Sequence, residues 1–207
     1  FSYWPDFAKG LSFTADKFRI KVTDAIAAQT GTQILQTCAR TGMFCDLVQR
    51  GASGEVVRLT QAVVNLSRIE VAGIDGVVRY TFPALGGKID SALDVAYLQH
   101  YRSFVPQPDG SVVVDDRTGK SNQPRSTFPR YKGQASLRYL GAQFTAGWKG
   151  RYIGSSAYIP NNAVNGGKVG ATLYHDVQVA YTLKGGTSVA VGVDNVADRQ
   201  PPASAAN

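Results

Sequence analysis

The sequence predicts an all-β fold and, within that class, an antiparallel transmembrane β-barrel. Three observations predict it. Apolar and polar residues alternate along several long segments, short and long connections alternate between these segments, and aromatic residues recur at two levels of the apolar faces. No apolar run is long enough for a transmembrane helix, and the first residues lack the basic start and apolar core of a signal peptide.

Seven strands are expected from this alternation. In the segment 131–139 the odd positions include Tyr131, Leu137 and Tyr139, whereas the even positions are polar, as in Lys132 and Arg138. A helix has a place only within residues 25–38. The seven predicted strands are approximately residues 11–24, 74–82, 89–100, 131–139, 142–152, 173–183 and 189–193.

The connections between these strands have a polarity. The links at 83–87, 141 and 184–186 are short, whereas those at 25–63, 103–130 and 154–171 are long. Outer-membrane barrels have short periplasmic turns and long extracellular loops, and soluble meanders need no such rule. The loop at 25–63 either folds as a short clipped helix or covers the mouth as a lid, and the sequence does not choose between these.

A secreted, soluble β-sandwich with a binding function is the alternative, because its inner face would carry the same aromatic residues. It would bury that face under a second sheet, and it would have strands of about 5–6 residues with similar loops at both ends. The longer strands and the one-sided long loops favour the membrane barrel.

A tight turn at 141–142 predicts the register of one hairpin. Tyr139 then lies opposite Phe144 and Tyr131 lies opposite Tyr152, so two aromatic levels bracket an aliphatic middle. At about 3.3 Å per residue and a tilt near 45°, the separation of the two levels is roughly 19 Å along the membrane normal, which is close to the apolar band of such barrels.

The same register places Lys132 opposite Arg151, near the long-loop end, and Lys149 opposite Gln134 on the polar face. Facing like charges are destabilising unless an anion, a carboxylate or water lies between them. These cations therefore either attract an anionic ligand or, as is favoured, are neutralised by neighbouring acids or by other parts of the protein. The neighbouring acids are Asp90, Asp94 and Asp176.

Charge and motif content exclude two classes of function. The formal net charge is +7, but the cationic residues are spread singly from Lys9 to Arg199, so no nucleic-acid partner is expected. The patterns GxSxG and HExxH and the phosphate-binding loop are missing, and His100 and His175 fall on opposite faces of their strands. No enzymatic activity and no cofactor is therefore expected.

The two cysteines, Cys38 and Cys45, lie in a polar segment with six residues between them. This spacing favours a disulfide in an oxidising compartment over two unrelated thiols. Neither histidine is near them in the sequence, so no metal site is expected.

The stretch GVDNVADRQPP at 192–202 resembles the end of the penultimate barrel strand of TonB-dependent outer-membrane receptors, which commonly reads G-V-N-N-L-F-D-x-x-P-P. Asn and Asp side chains are expected to end the strand by bonding to nearby backbone, and the prolines cannot continue the ladder. Four further stretches resemble the same family in collinear order: GLSFTADKFRIKVTDAI at 10–26, CDLVQR at 45–50, VNLSRIEVAGIDGVVRYTF at 64–82 and RYIGSSAY at 151–158.

This resemblance implies a segment of about seven strands from a larger barrel of about 22 strands that is filled by an N-terminal plug. Residues 1–207 are then expected to be the C-terminal part of the barrel, with the plug domain and the last strand outside this sequence. Seven strands fall short of the eight with which outer-membrane barrels begin, and an open edge in lipid leaves amides unpaired, so the remaining strands are needed.

The resemblance also implies a function: energy-dependent uptake of a bulky, scarce nutrient across the outer membrane of a Gram-negative cell. An iron-siderophore complex is the first choice, with an oligosaccharide or cobalamin as the others. The implied partners are outer-membrane lipid, the plug domain, the remaining barrel strands, the TonB complex reached through the plug, and the nutrient. Candidate ligand-binding residues are Tyr101, Arg102, Tyr158, Asn161 and Asn162 in the loops and Lys132, Lys149 and Arg151 on the lumen wall.

Overall fold

The chain folds into β-strands with one short α-helix, in a computed structural model that describes residues 1–28, 31–61, 63–106, 111–122, 126–158 and 167–202. The helix, α1, spans Gly31–Thr41, and one turn of 3-10 helix spans Cys45–Leu47. The strands are β1 (Ser2–Tyr3), β2 (Leu11–Ala28), β3 (Val48–Arg50), β4 (Val56–Leu59), β5 (Val63–Ala84), β6 (Gly87–Pro106), β7 (Val112–Asp116), β8 (Lys120–Asn122), β9 (Ser126–Thr127), β10 (Tyr131–Leu140), β11 (Phe144–Ile153), β12 (Ser156–Tyr158), β13 (Lys168–Val169), β14 (Thr172–Thr182) and β15 (Ser188–Val193). In the described part of the chain, no helix has the length and apolarity that crossing a bilayer requires.

The main sheet has the strand order β1-β2-β5-β6-β10-β11-β14-β15, and β7 pairs with β6. Its seven long strands are those that the alternation predicts, so the all-β prediction is confirmed. Three strands are several residues longer than predicted: β2 continues to Ala28, β5 begins at Val63, and β6 continues to Pro106. The apolar positions change phase from Ile69 and Val71 to Ile74, and this change hides the first half of β5 from a simple period-two pattern.

The chain forms two compact units. The first consists of Phe1–Phe18, Ala72–Gln99 and Arg117–Asn207, and the second consists of Arg19–Val71 and His100–Asp116. The first unit also contains a small four-stranded sheet with the order β13-β12-β8-β9.

The predicted register of the β10–β11 hairpin is wrong by two residues. Leu140 pairs with Thr145, and the Gly141 N–H donates to the Phe144 carbonyl at 2.9 Å, so the chain reverses at 142–143, one residue later than the predicted turn at 141–142. Tyr139 consequently lies opposite Ala146. Because the shift is an even number, every side chain stays on its predicted face.

Aromatic rings lie at both ends of the apolar face, as predicted. At the long-loop end the Tyr97 and Tyr131 rings are 5.0 Å apart. At the short-turn end Tyr139 and Phe144 no longer face each other directly, yet as diagonal neighbours their ring centroids are 6.4 Å apart. The two aromatic levels therefore persist in spite of the register shift.

The apolar face of the first unit is exposed. Tyr131, Phe144, Trp148 and Val179 expose between 37% and 52% of their surface. Among the described residues of this unit, the buried apolar side chains are few and small apart from Val169, namely Ala72, Pro5 and Pro129, so the described chain provides no second layer over the face. The β-sandwich alternative requires a dry interior there and is wrong for this fold.

The second unit orders most of the predicted long loop at 25–63. The helix α1 contributes the fully buried Ile34, and β3 pairs with β4 through Val48 and Leu59. A disulfide joins Cys38 in α1 to Cys45, which confirms the predicted pairing. Of the two conformations expected for this loop, the clipped helix is the one observed.

The turn between β5 and β6 contains a residue in a conformation that suits it poorly. Leu85 has φ 52° and Gly86 has φ 72°, the combination that two-residue hairpin turns satisfy best with Asn-Gly. The Leu85 side chain is 86% exposed, and its carbonyl accepts a hydrogen bond from the Tyr139 hydroxyl at 2.9 Å. The turn is thus fixed by its backbone and gains little from the leucine side chain.

Leu85→Asn is expected to stabilise the fold by about 1 kcal/mol, because asparagine tolerates the left-handed backbone better than leucine. Urea titration of the full-length protein in detergent micelles measures the free energy of unfolding. Leu85→Ala keeps a Cβ at the same φ without the amide and is the matched control. Equal stability of the two variants would contradict this interpretation of the turn.

Reduction of the disulfide is expected to expose α1 to trypsin at Arg40. The disulfide limits the conformations of the unfolded segment and so stabilises its folded form by about 2 kcal/mol. Mass spectrometry of timed digests with and without reductant compares cleavage after Arg40 with cleavage after Arg199, which lies far from the disulfide in sequence. Faster cleavage only after Arg40 is the expected result. Unchanged cleavage at Arg40 would show that packing around Ile34, not the disulfide, holds the helix.

Candidate functional site

The polar face of the first unit is a wall of charged side chains set in rows by the strand register. One row runs from Asp94 on β6 through Gln134 on β10 and Arg151 on β11 to Tyr174 on β14. The next row places Lys149 between Ser136 and Asp176. Alternation along the strands puts these polar residues on one side and the exposed apolar residues on the other.

Two arginines on this wall are paired with aspartates of β6. Arg79 Nη2 lies 3.3 Å from Asp94 Oδ1, and Arg138 Nη2 lies 3.2 Å from Asp90 Oδ2. Asp90 also accepts a hydrogen bond of 3.0 Å from the Thr81 hydroxyl. Acid and base thus neutralise each other across neighbouring strands.

The third pair is held more closely. Arg151 donates from Nε and Nη2 to the two carboxylate oxygens of Asp176 at 2.9 and 3.0 Å, which is the bidentate geometry of a strong charge-assisted pair. The guanidinium also lies over the Tyr174 ring, 5.3 Å from its centroid. Asp176 Oδ1 in addition accepts the backbone N–H of Asn195 at 2.9 Å. One carboxylate therefore links β11, β14 and the turn after β15.

The strand β15 ends in a turn that is fixed by side-chain and backbone hydrogen bonds. Asn195 has φ 51°, its side-chain oxygen accepts the Arg199 N–H at 3.0 Å, and its amide donates back to the Arg199 carbonyl at 3.2 Å. The Val196 N–H donates to the His175 carbonyl at 2.8 Å. The expectation that an Asn side chain ends the strand by bonding to nearby backbone is confirmed for Asn195.

The wall is concave from β5 to β15 and lines an open groove of about 870 Å³. Among the described residues, no group of three or more His, Cys, Asp or Glu side chains is arranged to hold a metal ion. The charged residues that line the groove are Arg79, Lys88, Asp90, Arg138, Lys149, Asp176 and Asp194.

The predicted pairs of facing polar residues are wrong, because they depended on the shifted register. Lys132 lies opposite Ile153, and Arg151 lies opposite Gln134. Lys149 faces Ser136 on one side and Asp176 on the other. The favoured interpretation, neutralisation by neighbouring acids, holds for Arg151, which forms an ion pair with Asp176. No cation lies directly opposite Arg151, because its partners in the ladder are Gln134 and Tyr174.

The other predicted site residues divide between the two units. Arg102 donates from Nε to Asp116 at 3.0 Å across the β6–β7 pair of the second unit, and Tyr101 precedes it on β6. Tyr158 belongs to β12 of the first unit, and its side chain is outside the described part. Asn161 and Asn162 lie outside the described residues.

Sequence reasoning placed Arg79 and Arg138 on polar faces but did not select them as site residues, and it missed the backbone contact of Asn195. Strand alternation was a usable signal for Arg138, which shares its face with Asp90. The Asn195 contact had no signal, since it depends on how β14 and β15 align.

Asp176→Ala is expected to loosen the turn after β15, because the Asn195 N–H loses its charged acceptor. Hydrogen exchange followed by mass spectrometry should show the amide of Asn195 exchanging about tenfold faster. Asp194→Ala, which removes a neighbouring acid of the groove, is the matched control and should leave this exchange unchanged. Equal exchange in both variants would mean that the side chain of Asn195 fixes the turn without Asp176.

Two comparisons with known proteins agree with this architecture. A solved structure, the FrpB iron transporter from Neisseria meningitidis (F3-3 variant), is similar to this chain with a TM-score of 0.57 and 17% sequence identity. The alignment covers 94% of this chain and 26% of that one, so this chain spans about a quarter of the length of that structure. No curated protein sequence matches the chain. The model of the family described as TonB dependent receptor-like, beta-barrel matches residues 2–196. Since this match takes in far more than half of the sequence, the chain belongs to the TonB-dependent receptor-like β-barrel family.

Proposed function

We propose that this chain is part of the barrel wall of an outer-membrane receptor that imports a bulky, scarce nutrient by energy-dependent transport. The observation that carries the proposal is the division of the sheet into two faces. One face is apolar, exposed and bordered by aromatic rings, and the other carries the charged groove. Such a sheet suits a wall with hydrocarbon on one side and a water-filled or plugged lumen on the other.

The proposal includes the rest of the protein. Residues 1–207 are taken as the C-terminal part of the barrel, completed by further strands and by an N-terminal plug that is coupled to the TonB complex. The location is the outer membrane of a Gram-negative cell, with membrane lipid as a partner. The matching family is described as receptor-like and the similar structure as a transporter, which supports a role in transport rather than catalysis.

An iron chelate is the first candidate for the nutrient. The similar structure is an iron transporter, but at 17% identity this likeness supports the fold and leaves iron as a proposal. The chemistry of the wall adds support, because Lys149 makes no hydrogen bond or ion pair within 4.0 Å to any acid of the described residues. Asp176 faces Lys149 but is already paired with Arg151, so the Lys149 ammonium in the groove suits an anionic ligand such as a ferric siderophore complex.

Uptake by whole cells tests the transport proposal. A strain that lacks the receptor gene, with and without the full-length protein supplied from a plasmid, is given radiolabelled ferric chelates of the catecholate, hydroxamate and citrate classes. Accumulation is expected only with the receptor and only while the proton gradient is intact. Receptor-dependent uptake of labelled cobalamin or oligosaccharide instead would reject iron and keep the importer, whereas uptake of none of them would reject both.

Lys149→Ala is expected to weaken binding of the transported chelate about tenfold, because one charge-assisted hydrogen bond is lost. Equilibrium binding of the labelled chelate to intact cells measures the dissociation constant. Lys184→Ala, in the exposed turn between β14 and β15, removes the same charge away from the groove and should leave affinity unchanged. Equal affinities in both variants would remove Lys149 from the ligand site.

A further inference from the structure

The apolar face of the first unit contains a trough where three small residues lie side by side. Ala135 pairs with Gly150 on β11, and Gly133 pairs with Tyr152 one row higher. The side chains at these positions leave a depression of about 360 Å³. Its walls are formed by Leu93, Val95, Tyr131, Trp148, Tyr152 and Leu173.

The shape of the trough follows from the register. Leu93 on β6 lies directly opposite Ala135, so a large side chain borders the small one on that side. On the other side the Trp148 ring lies over Gly150, so close that a Cβ at Gly150 would be only 2.8 Å from Trp148 Cζ2. With about 3.3 Å per residue, the floor from Gly133 to Ala135 is about 7 Å long. The trough is therefore narrow, and it lies nearer the long loops than the short turns.

The chemistry of the walls selects an apolar occupant. Lys132 and Gln134 also line the trough, but strand alternation places their side chains on the opposite face. Apart from tyrosine hydroxyls, the strong donor in the walls is the Trp148 indole, and its Nε1–H already donates to His175 Nδ1 at 3.2 Å. The indole and imidazole rings are also stacked, with centroids 5.8 Å apart. A sugar or a peptide would find few partners here, whereas a methylene chain needs none.

The small size of the trough favours a single hydrocarbon chain over a folded protein as its occupant. Eleven residues line it, whereas a stable protein interface uses about 20–30 residues on each side. A gap of this kind forfeits dispersion contacts unless a slender group fills it. Hydrocarbon is the solvent that this face meets if the chain is a barrel wall.

We propose that this trough binds one acyl chain of a membrane lipid, from the leaflet nearer the long loops, as a fixed lipid site on the barrel wall. The inference rests on the proposed function in one respect, namely that the apolar face meets lipid. It adds a defined ligand at a defined position, with Ala135 and Gly150 as the floor and Leu93 and Trp148 as the walls.

Photolabelling tests the site in the full-length protein. The protein is placed in nanodiscs of phosphatidylethanolamine and phosphatidylglycerol, with a small fraction of phosphatidylethanolamine that carries a diazirine midway along one acyl chain. After irradiation, peptide mass spectrometry locates the adducts. Adducts are expected to concentrate on Leu93, Trp148 and Tyr152 relative to Val179 and Val191 of the same face.

Ala135→Phe fills the trough and should lower the adduct yield at the wall residues about tenfold, the factor for roughly two methylene groups losing their contact. Ala146→Phe enlarges another small residue of the same face and should leave that yield unchanged. If Ala135→Phe fails to fold, Ala135→Leu serves in its place with a smaller loss.

The outcomes separate this inference from the proposed function. Even labelling of the whole apolar face, or a yield that ignores Ala135→Phe, overturns the trough site and leaves the membrane wall intact. Labelling of the face around an unlabelled trough means that protein covers it and also overturns the site. Absence of adducts from the whole face would overturn the membrane placement itself.

Discussion

The structure depends on one constraint: every long strand must satisfy its backbone hydrogen bonds with a neighbour, because lipid, in which we propose the sheet lies, offers no other partner. Pairing of β10 with both β6 and β11, and of β14 with both β11 and β15, meets this need. Once strands pair in a fixed register, their side chains separate into two faces with no further instruction. The exposed apolar face and the charged wall are thus two consequences of one ladder.

The charged side chains of the wall are stabilised by pairing with one another and not by burial in a dry core. Arg79, Arg138 and Arg151 each meet an aspartate on a neighbouring strand, so charge is balanced locally. Asp176 does more, since it also receives the backbone of Asn195 and so ties the strand end to the wall. The same residues that would repel one another as isolated cations become cross-strand links.

Alternation in the sequence was sufficient to predict the fold class, the seven long strands and the face of each side chain in β10 and β11. The disulfide between Cys38 and Cys45 was also predictable, because a short separation in a polar loop leaves few other partners. Alternation does not encode the exact position of a turn. The hairpin after Gly141 reverses one residue later than predicted, which shifts its register by two residues. This register shift changes the predicted contacts of the candidate site, because it places Arg151 opposite Gln134 and not opposite Lys132. The bond from Asn195 to Asp176 depends on the alignment of distant strands, which local pattern does not contain.

Cysteine scanning of residues 131–140 in the full-length protein in outer membranes tests the central claim most directly. Single cysteines at Gln134 and Ser136 are predicted to react with a water-soluble maleimide. Those at Ala135 and Leu137 should react only with a lipid-soluble reagent. A reaction pattern without this period of two, or odd positions shielded from both reagents, would contradict a sheet that divides hydrocarbon from lumen.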